Sequence, residues 1–575
     1  MRVLIVGGVA CGPKAAARLR RLDPSAEITV LEMGSHISYG ACGIPYYVAG
    51  LVGRLEDLFS TPVGVPRDET FFKKNKAIEF LTMHRAERVD PRAKAVEARD
   101  LRTGELKVFP YDKLVIATGS TPFVPPIPGL DLENVFTRWD IEGAKRLKDF
   151  IDSERPRRAV MVGAGLIGME MAEALRIRGL EVTVVEALSW PLPKLLDEEM
   201  GLLVQKKLEA SGVRFVGGAR VLEVEGEGAR ARRVRTDAGA LEADLVLVAV
   251  GVRPNVELAR QAGAEIGSLG GIRVDEHMRT SIPDVYAGGD CVESRHLVSG
   301  RYVYQPMGST ANRHGRTIAD NIAGIPSRFK GVLGTAVVKV FETTVARTGL
   351  SEREAEEAGF KAISSTITAL DKAHYYPGAK PITIKLVLER GSGRILGAQI
   401  VGEGVADKRI DVLASAVWSG MTVDELADLD LAYSPPYSSA LDPLTHAANT
   451  ARNKLAGLLK GRKPTEAREL VEEGRAIILD VRTPKEVEEV SLPYEECTCY
   501  VPLGKLREMM ESLPRDREII ATCKISSRAW DAVCTLKGIG IEEASILEGG
   551  VVGWPFRCEC KGSKEGDERP KQASP

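Results

Sequence analysis

Two cysteines far apart in the chain sit in settings suited to sulfur chemistry. Cys42 lies in Ser38-Tyr39-Gly40-Ala41-Cys42-Gly43-Ile44-Pro45-Tyr46-Tyr47, shortly after a glycine turn of the nucleotide-binding kind. Cys523 opens Cys523-Lys524-Ile525-Ser526-Ser527-Arg528, a short loop closed by an arginine. No second cysteine lies near Cys42 in the local sequence, so this thiol cannot close an internal disulfide. It must cycle through a mixed disulfide, a persulfide or a sulfenic acid. The first site is suited to receiving electrons and the second to carrying a sulfur atom. Together they point to an enzyme that reduces sulfur delivered as a persulfide.

The elements that would position these thiols are short apolar strands alternating with helices. Val3-Leu4-Ile5-Val6, a glycine turn, an alanine-rich helix and Glu27-Ile28-Thr29-Val30-Leu31-Glu32 form one β–α–β unit. Ala159-Val160-Met161-Val162, Gly163-Ala164-Gly165-Leu166-Ile167-Gly168, a helix and Glu181-Val182-Thr183-Val184-Val185-Glu186 form a second. Such alternation predicts parallel sheets with both faces covered. The second unit carries a complete GxGxxG. Gly163, Gly165 and Gly168 permit the tight turn and let backbone N–H groups face a pyrophosphate. Glu186 ends the next strand, where a carboxylate bonds ribose hydroxyls and repels a 2′-phosphate, so NADH is favoured over NADPH. Arg178 and Lys194 are not placed to overturn this. The first unit departs from the pattern: Gly7 and Gly12 hold the outer positions, Val9 replaces the middle glycine beside Gly8, and Glu32 closes the second strand.

Tyr111-Asp112-Lys113-Leu114-Val115-Ile116-Ala117-Thr118-Gly119 and Val285-Tyr286-Ala287-Gly288-Gly289-Asp290 complete the picture. With the first glycine motif they resemble the FAD-binding signature of the pyridine nucleotide-disulfide oxidoreductases, over roughly residues 1–450. The resemblance implies that Gly7, Gly8, Gly12, Glu32, Thr118, Gly119 and Asp290 hold FAD, with Asp290 on the ribitol. It also implies that hydride passes from NADH to FAD. The segment around Cys42 resembles the coenzyme A-disulfide reductase and NADH oxidase branch, in which the matching cysteine is held as a disulfide with CoA. CoA is polyanionic, and the resemblance carries Lys14, Arg18, Arg21, Ser38 and Lys73 over as its contacts. His374-Tyr375-Tyr376-Pro377-Gly378-Ala379 and Tyr433-Ser434-Pro435-Pro436-Tyr437 are similar to motifs that bring tyrosines from the partner subunit to the active cysteine. That implies catalytic roles for Tyr375 and Tyr433, and a homodimer. A phenol there donates a hydrogen bond or proton to a leaving thiolate.

Near the C-terminus, Asp480-Val481-Arg482-Thr483-Pro484, the Cys523–Arg528 loop, and Leu547-Glu548-Gly549-Gly550 with Trp554 resemble a rhodanese domain. Backbone N–H groups of a strand-to-helix loop aimed at Cys523 would lower its pKa and stabilise an anionic persulfide. Ser526 and Ser527 would add hydroxyl donors, and Arg528 is the loop's catalytic cation. The usual Gly-His-Ile segment is replaced around Ser491-Leu492-Pro493-Tyr494. Cys497, Cys499, Cys558 and Cys560 form two CxC pairs whose role is open; no metal is expected. Cys11, Cys291 and Cys534 read as small buried residues.

The expected architecture is α/β, with two Rossmann-like domains for FAD and NADH, an α+β dimerisation domain and a C-terminal rhodanese domain. The FAD domain is discontinuous, 1–112 and 252–328; the NADH domain spans 113–251, the dimerisation domain 329–452, a linker 453–464 and the rhodanese domain 465–560. A disordered tail, 561–575, follows. The chain of 575 residues is far beyond one core, and a net charge of −2 gives no reason to expect nucleic acid or a membrane as partner. No signal peptide or membrane span is read, and nine cysteines in this length suit a reducing cytoplasm. The expected activity is reduction of persulfide or polysulfide by NADH with release of hydrogen sulfide, CoA carrying sulfur between Cys523 and Cys42. CoA-disulfide reductase, NADH oxidase or peroxidase, and a sulfur-trafficking protein are the other readings.

Overall fold

The computed structural model describes residues 1–509 and 513–557. Cys558, Cys560 and the tail expected at 561–575 lie outside the described residues. The chain divides into two compact units, one built from Met1–Ser189 with Gly212–Gly334, the other from Trp190–Ser211 with the chain from Thr335 onward.

In the first unit, Arg2–Val6 lies at the centre of a five-stranded parallel sheet between Lys113–Ile116 and Glu27–Leu31, with Val285–Ala287 and Glu79–Leu81 at the edges. The central strands are buried on both faces, as their unbroken apolar runs require. Lys113–Ile116 pairs directly with Val3–Val6. A boundary at 112/113 therefore cuts a strand from its own sheet, and the first lobe continues through Ile116. The second parallel sheet orders Val213–Val216, Glu181–Val185, Arg158–Val162, Leu245–Val248 and Val135–Phe136. The helix Glu198–Ala210, which the sequence places inside the expected NADH domain, groups with the second unit instead.

The second unit holds an antiparallel sheet ordered Ala336–Val340, Thr343–Gly349, Ile395–Gly402, Pro381–Glu389 and Ala362–Leu370. It also holds a parallel sheet ordered Gly461–Arg462, Ala544–Leu547, Glu518–Thr522, Ala476–Asp480 and Thr498–Tyr500. In the latter, Ile477, Leu479 and Ile519 face one core, and Ala476, Ile478 and Ile520 face another that contains Trp554. That is the period-two alternation of a sheet covered on both sides. The stretch expected to be a linker is structured: the helix Pro443–Leu455 runs into it, and Gly461 and Arg462 pair with Ile546 and Leu547. Among the described residues no helix is long and apolar enough to cross a membrane.

Candidate functional site

The two glycine turns of the first unit are built alike. At the first, a Cβ on Gly7 would strike the Ala117 carbonyl and one on Gly12 the Gly7 carbonyl, so both positions demand glycine. At the second, a Cβ on Gly163 or Gly168 would strike the Ala249 or Gly163 carbonyl, whereas Gly165 faces open space. A glycine kept where the protein leaves room is what close approach of a pyrophosphate to the backbone calls for. Each strand-end carboxylate braces its turn. Glu32 accepts N–H bonds from Gly8 (2.6 Å) and Gly34 (2.7 Å). Glu186 accepts them from Ala164 (2.8 Å) and Leu188 (3.0 Å). Arg178 is spent on Asp152 and the Val48 carbonyl, so it offers nothing to a 2′-phosphate.

Asp290 follows the strand Val285–Ala287 and accepts a bond from Ser120 Oγ (3.2 Å); burial raises its carboxyl above the usual range. The Tyr304 hydroxyl lies buried near Asp290 and makes no well-formed hydrogen bond in the protein. Thr118 and Gly119 are locked to Asn255 by reciprocal bonds. An underused, half-buried carboxyl and a buried phenol oxygen, together with a turn that tolerates no side chain, fit a flavin nucleotide with a polyol chain. Gly7, Gly8, Gly12, Glu32, Thr118, Gly119 and Asp290 are the residues that would hold it.

Cys42 stands in the turn Ala41–Gly43 that leads into the helix Ile44–Ala49. The Ser38 N–H donates to the Gly8 carbonyl (2.8 Å), which ties the cysteine segment to the glycine turn, and Ser38 has φ 51°. Cys42 is exposed as a residue, yet enough protein surrounds its sulfur for burial to raise the thiol pKa, with Glu170 and Asp290 adding to the effect. Glu170, two residues past Gly168 on the helix Leu166–Ile177, was not singled out from the sequence. Burial, then Glu173, pushes its carboxyl up to about 7. The signal was an acid between Met169 and Met171, both fully buried.

The cations carried over for CoA differ in availability. Lys14, Arg18 and Arg21 share one helix face by their spacing. Lys14 and Arg21 are exposed, as is Lys73, 4.0 Å from Glu79. Arg18 gives its Nε–H to Asp320 (2.7 Å). Arg20, on the same helix, is a structural clamp whose guanidinium serves five backbone carbonyls.

In the second unit Tyr375 and Tyr433 come from separate loops, and the nearness of Tyr433 raises the Tyr375 pKa. Both are exposed, 66% and 53%. Cys523 follows the strand Glu518–Thr522 and precedes the helix Ser527–Lys537, and is fully buried. The glycine loop after Leu547 is pressed onto it: Val551 N–H donates to the Cys523 carbonyl (3.0 Å) and Val552 N–H to that of Lys524 (3.1 Å). Glu548, buried, anchors this cover by accepting from Lys454 and from the Thr366 N–H (3.1 Å) of the antiparallel sheet.

Three expectations about this end need correction or refinement. The Ser526 hydroxyl is not a donor to the Cys523 sulfur; it donates to the Leu547 carbonyl (2.8 Å) from a left-handed residue, φ 75°. Arg528 does not stand free, because Glu486 holds it in a two-pronged pair (2.9 and 2.6 Å). That pair keeps Glu486 at about 2. Cys534 is exposed, since the buried side of its helix is set by Ala529, Ala532, Val533 and Leu536. Cys11 and Cys291 are buried as expected, and Cys497 and Cys499 are half-buried thiols. Asp480 and Arg482 form a buried ion pair that closes the first loop of the parallel sheet.

Two nucleotide turns, a lone cysteine and a cysteine loop on a separate parallel sheet define an oxidoreductase joined to a sulfur-handling module. The chain belongs to the pyridine nucleotide-disulphide oxidoreductase family: that family model matches residues 1–315, its dimerisation domain 335–444, and a rhodanese-like domain 463–555. The chain is 44% identical to the NAD-dependent persulfide reductase from A. fulgidus, whose solved structure superposes with a TM-score of 0.92 over 96% of this chain and 100% of that one. It is 37% identical to the NAD(P)H coenzyme A polysulfide/persulfide reductase of Pyrococcus horikoshii over 77% of this chain and 96% of that protein. It is 36% identical to an NADH oxidase of Methanocaldococcus jannaschii over 79% of this chain and 100% of that protein.

Proposed function

We propose that the protein is an NADH-dependent persulfide or polysulfide reductase that releases hydrogen sulfide and uses CoA as the thiol carrier between Cys523 and Cys42. The observation that carries this reading is the pairing, on one chain, of a lone cysteine beside two nucleotide turns with a cysteine loop of rhodanese type. Cys523 takes the outer sulfur of a donor and holds it as a persulfide, which a CoA thiolate removes. The Cys42 thiolate attacks the inner sulfur of the CoA persulfide, expelling HS⁻ and leaving a Cys42–CoA mixed disulfide. FAD, when bound, supplies the electron pair from NADH that reopens such a disulfide. Tyr375 and Tyr433, from the partner subunit of a homodimer, donate the hydrogen bond or proton to the leaving thiolate. Glu186 selects NADH by occupying the place a 2′-phosphate would need.

Of the three relatives described above, two are persulfide reductases and one is an NADH oxidase. The rhodanese-like domain favours the former, because reduction of oxygen leaves Cys523 without a task. The test is Cys523→Ser in the full-length, FAD-loaded enzyme. It retains reduction of free CoA persulfide and loses use of sulfane donors. Unchanged rates with every donor reject the relay. Mass spectrometry of the intact protein before and after a reductant then shows whether a CoA-sized adduct sits on Cys42.

A further inference from the structure

One buried side chain ties together the two loops that carry Tyr375 and Tyr433. Arg409, on the helix Asp407–Ser419, is 1% exposed. Its Nε–H donates to Asp442 Oδ1 (3.1 Å), and Nη2 donates both to Asp442 Oδ2 (3.0 Å) and to the Asp371 carbonyl (2.7 Å). Nη1 donates to the Val405 carbonyl (2.6 Å).

Asp371 and Asp442 are each the neck of a tyrosine loop. Asp371 N–H donates to the Lys380 carbonyl (2.9 Å), and Lys380 N–H returns a bond to Asp371 Oδ1 (2.9 Å). These bonds close the loop in which Tyr375 stands. Asp371 Oδ2 also accepts from Val405 N–H (3.1 Å). Asp442 Oδ2 accepts from Ser438 Oγ (2.8 Å), and the N–H groups of Tyr437 and Ser438 both donate to the Ser434 carbonyl (2.8 and 3.0 Å). That turn begins one residue after Tyr433. Asp442 in turn caps the helix Pro443–Leu455 through Leu444 N–H (3.0 Å).

The chemistry of the side chain matters here. A guanidinium presents donors in one rigid plane, so it grips a carboxylate and two carbonyls at once and fixes their spacing. A buried charge pair of this kind is rarely the most stabilising filling for a core, since well-packed apolar residues serve stability as well or better. What the pair adds is geometry. Misplacing a reacting group by about 1 Å costs on the order of 10²-fold in rate.

We propose that Arg409 is a positioning residue for sulfur reduction: its fork sets the separation of the two loop necks and so brings the Tyr375 and Tyr433 phenols together. This rests on the role given to the tyrosines above.

The test uses full-length, FAD-loaded enzyme with NADH and CoA persulfide. Three proteins are compared with wild type: Arg409→Met, the double variant Tyr375→Phe/Tyr433→Phe, and their combination. The tyrosine variant lowers kcat on the order of 10²-fold. Arg409→Met lowers kcat by a similar factor with KM for NADH within about twofold, and the combination falls no further, because both changes remove one device. Wild-type kcat in Arg409→Met overturns the proposal, and so does a further tenfold fall in the combination. If the tyrosine variant itself runs at the wild-type rate, the reading of the phenols fails first and the Arg409 role falls with it. Should Arg409→Met not hold FAD, Asp442→Asn with Ser438→Ala cuts only the link to the Tyr433 loop, and the same comparison decides.

Discussion

Lys385 offers the sharpest test of how the second unit is held together. It is fully buried on the strand Pro381–Glu389, and its Nζ meets Glu199 (2.6 Å), Glu352 (2.8 Å) and Asp197 (2.9 Å). Glu352 also takes Lys463 (2.7 Å), which begins the rhodanese-like domain. Burial alone would raise Glu352, but Lys385 and Lys463 outweigh it and bring the carboxyl down to about 2. Against an ordinary 4.5 that difference is worth about 3 kcal/mol at neutral pH, an order-of-magnitude figure. Removing one partner from a buried ionic cluster costs about 3–5 kcal/mol. Lys385→Met is therefore expected to lower the melting temperature of the FAD-loaded chain on the order of 10 °C at pH 7.

The pH dependence reverses between the two proteins. In the wild type the depressed carboxylates contribute stability above about pH 4.5, lost as pH falls through about 2. In the variant, Asp197 loses its cation and burial dominates, so its pKa rises. The variant is then most stable in mild acid and weakens as pH rises towards 7. Melting both proteins at a fixed scan rate from pH 5 to 7 should show the gap narrowing as pH falls. A gap that stays constant with pH, or no deficit at pH 7, refutes the reasoning.

Two further outcomes follow from the geometry of the cysteines. Glu170→Gln removes a carboxylate that holds the Cys42 thiol up, so alkylation of Cys42 by iodoacetamide should shift to lower pH and run several-fold faster near neutrality; an unshifted profile removes Glu170 from the site. Gly550→Ala puts a Cβ 2.5 Å from the Cys523 carbonyl oxygen at a position with φ 61°. The left-handed conformation alone costs roughly 1–2 kcal/mol. Sulfur transfer from a sulfane donor to CoA should fall at least tenfold while reduction of free CoA persulfide holds; equal rates would show that the cover loop does not shape the Cys523 site.

Much of the plan was legible because its signals are local. The glycine turns, their strand-end carboxylates, the lone cysteine and the Cys523 loop each lie within a few residues, where backbone sterics and hydrogen bonding leave few alternatives. Expectations failed where a role depends on a distant partner. The strand Lys113–Ile116 looked like the start of a new domain until its pairing with Arg2–Val6 returned it to the first sheet. Ser526 lay correctly in its loop, but the side to which its hydroxyl turns is decided by Leu547. Cys534 was misjudged because one residue says little about which helix face is covered.

Composition and short-range order alone determined the class of chemistry: which thiols stand in reactive settings, which turns can cradle a dinucleotide, and which carboxylates stand at the strand ends beside them. Only the folded chain decided what steadies those groups. Glu170 near Cys42, Glu486 on Arg528, Glu548 over the Cys523 loop and Arg409 between the tyrosine loops all act through partners far away in sequence. A buried charge is tolerable only where such partners converge, and convergence belongs to the packing of elements rather than to any one of them.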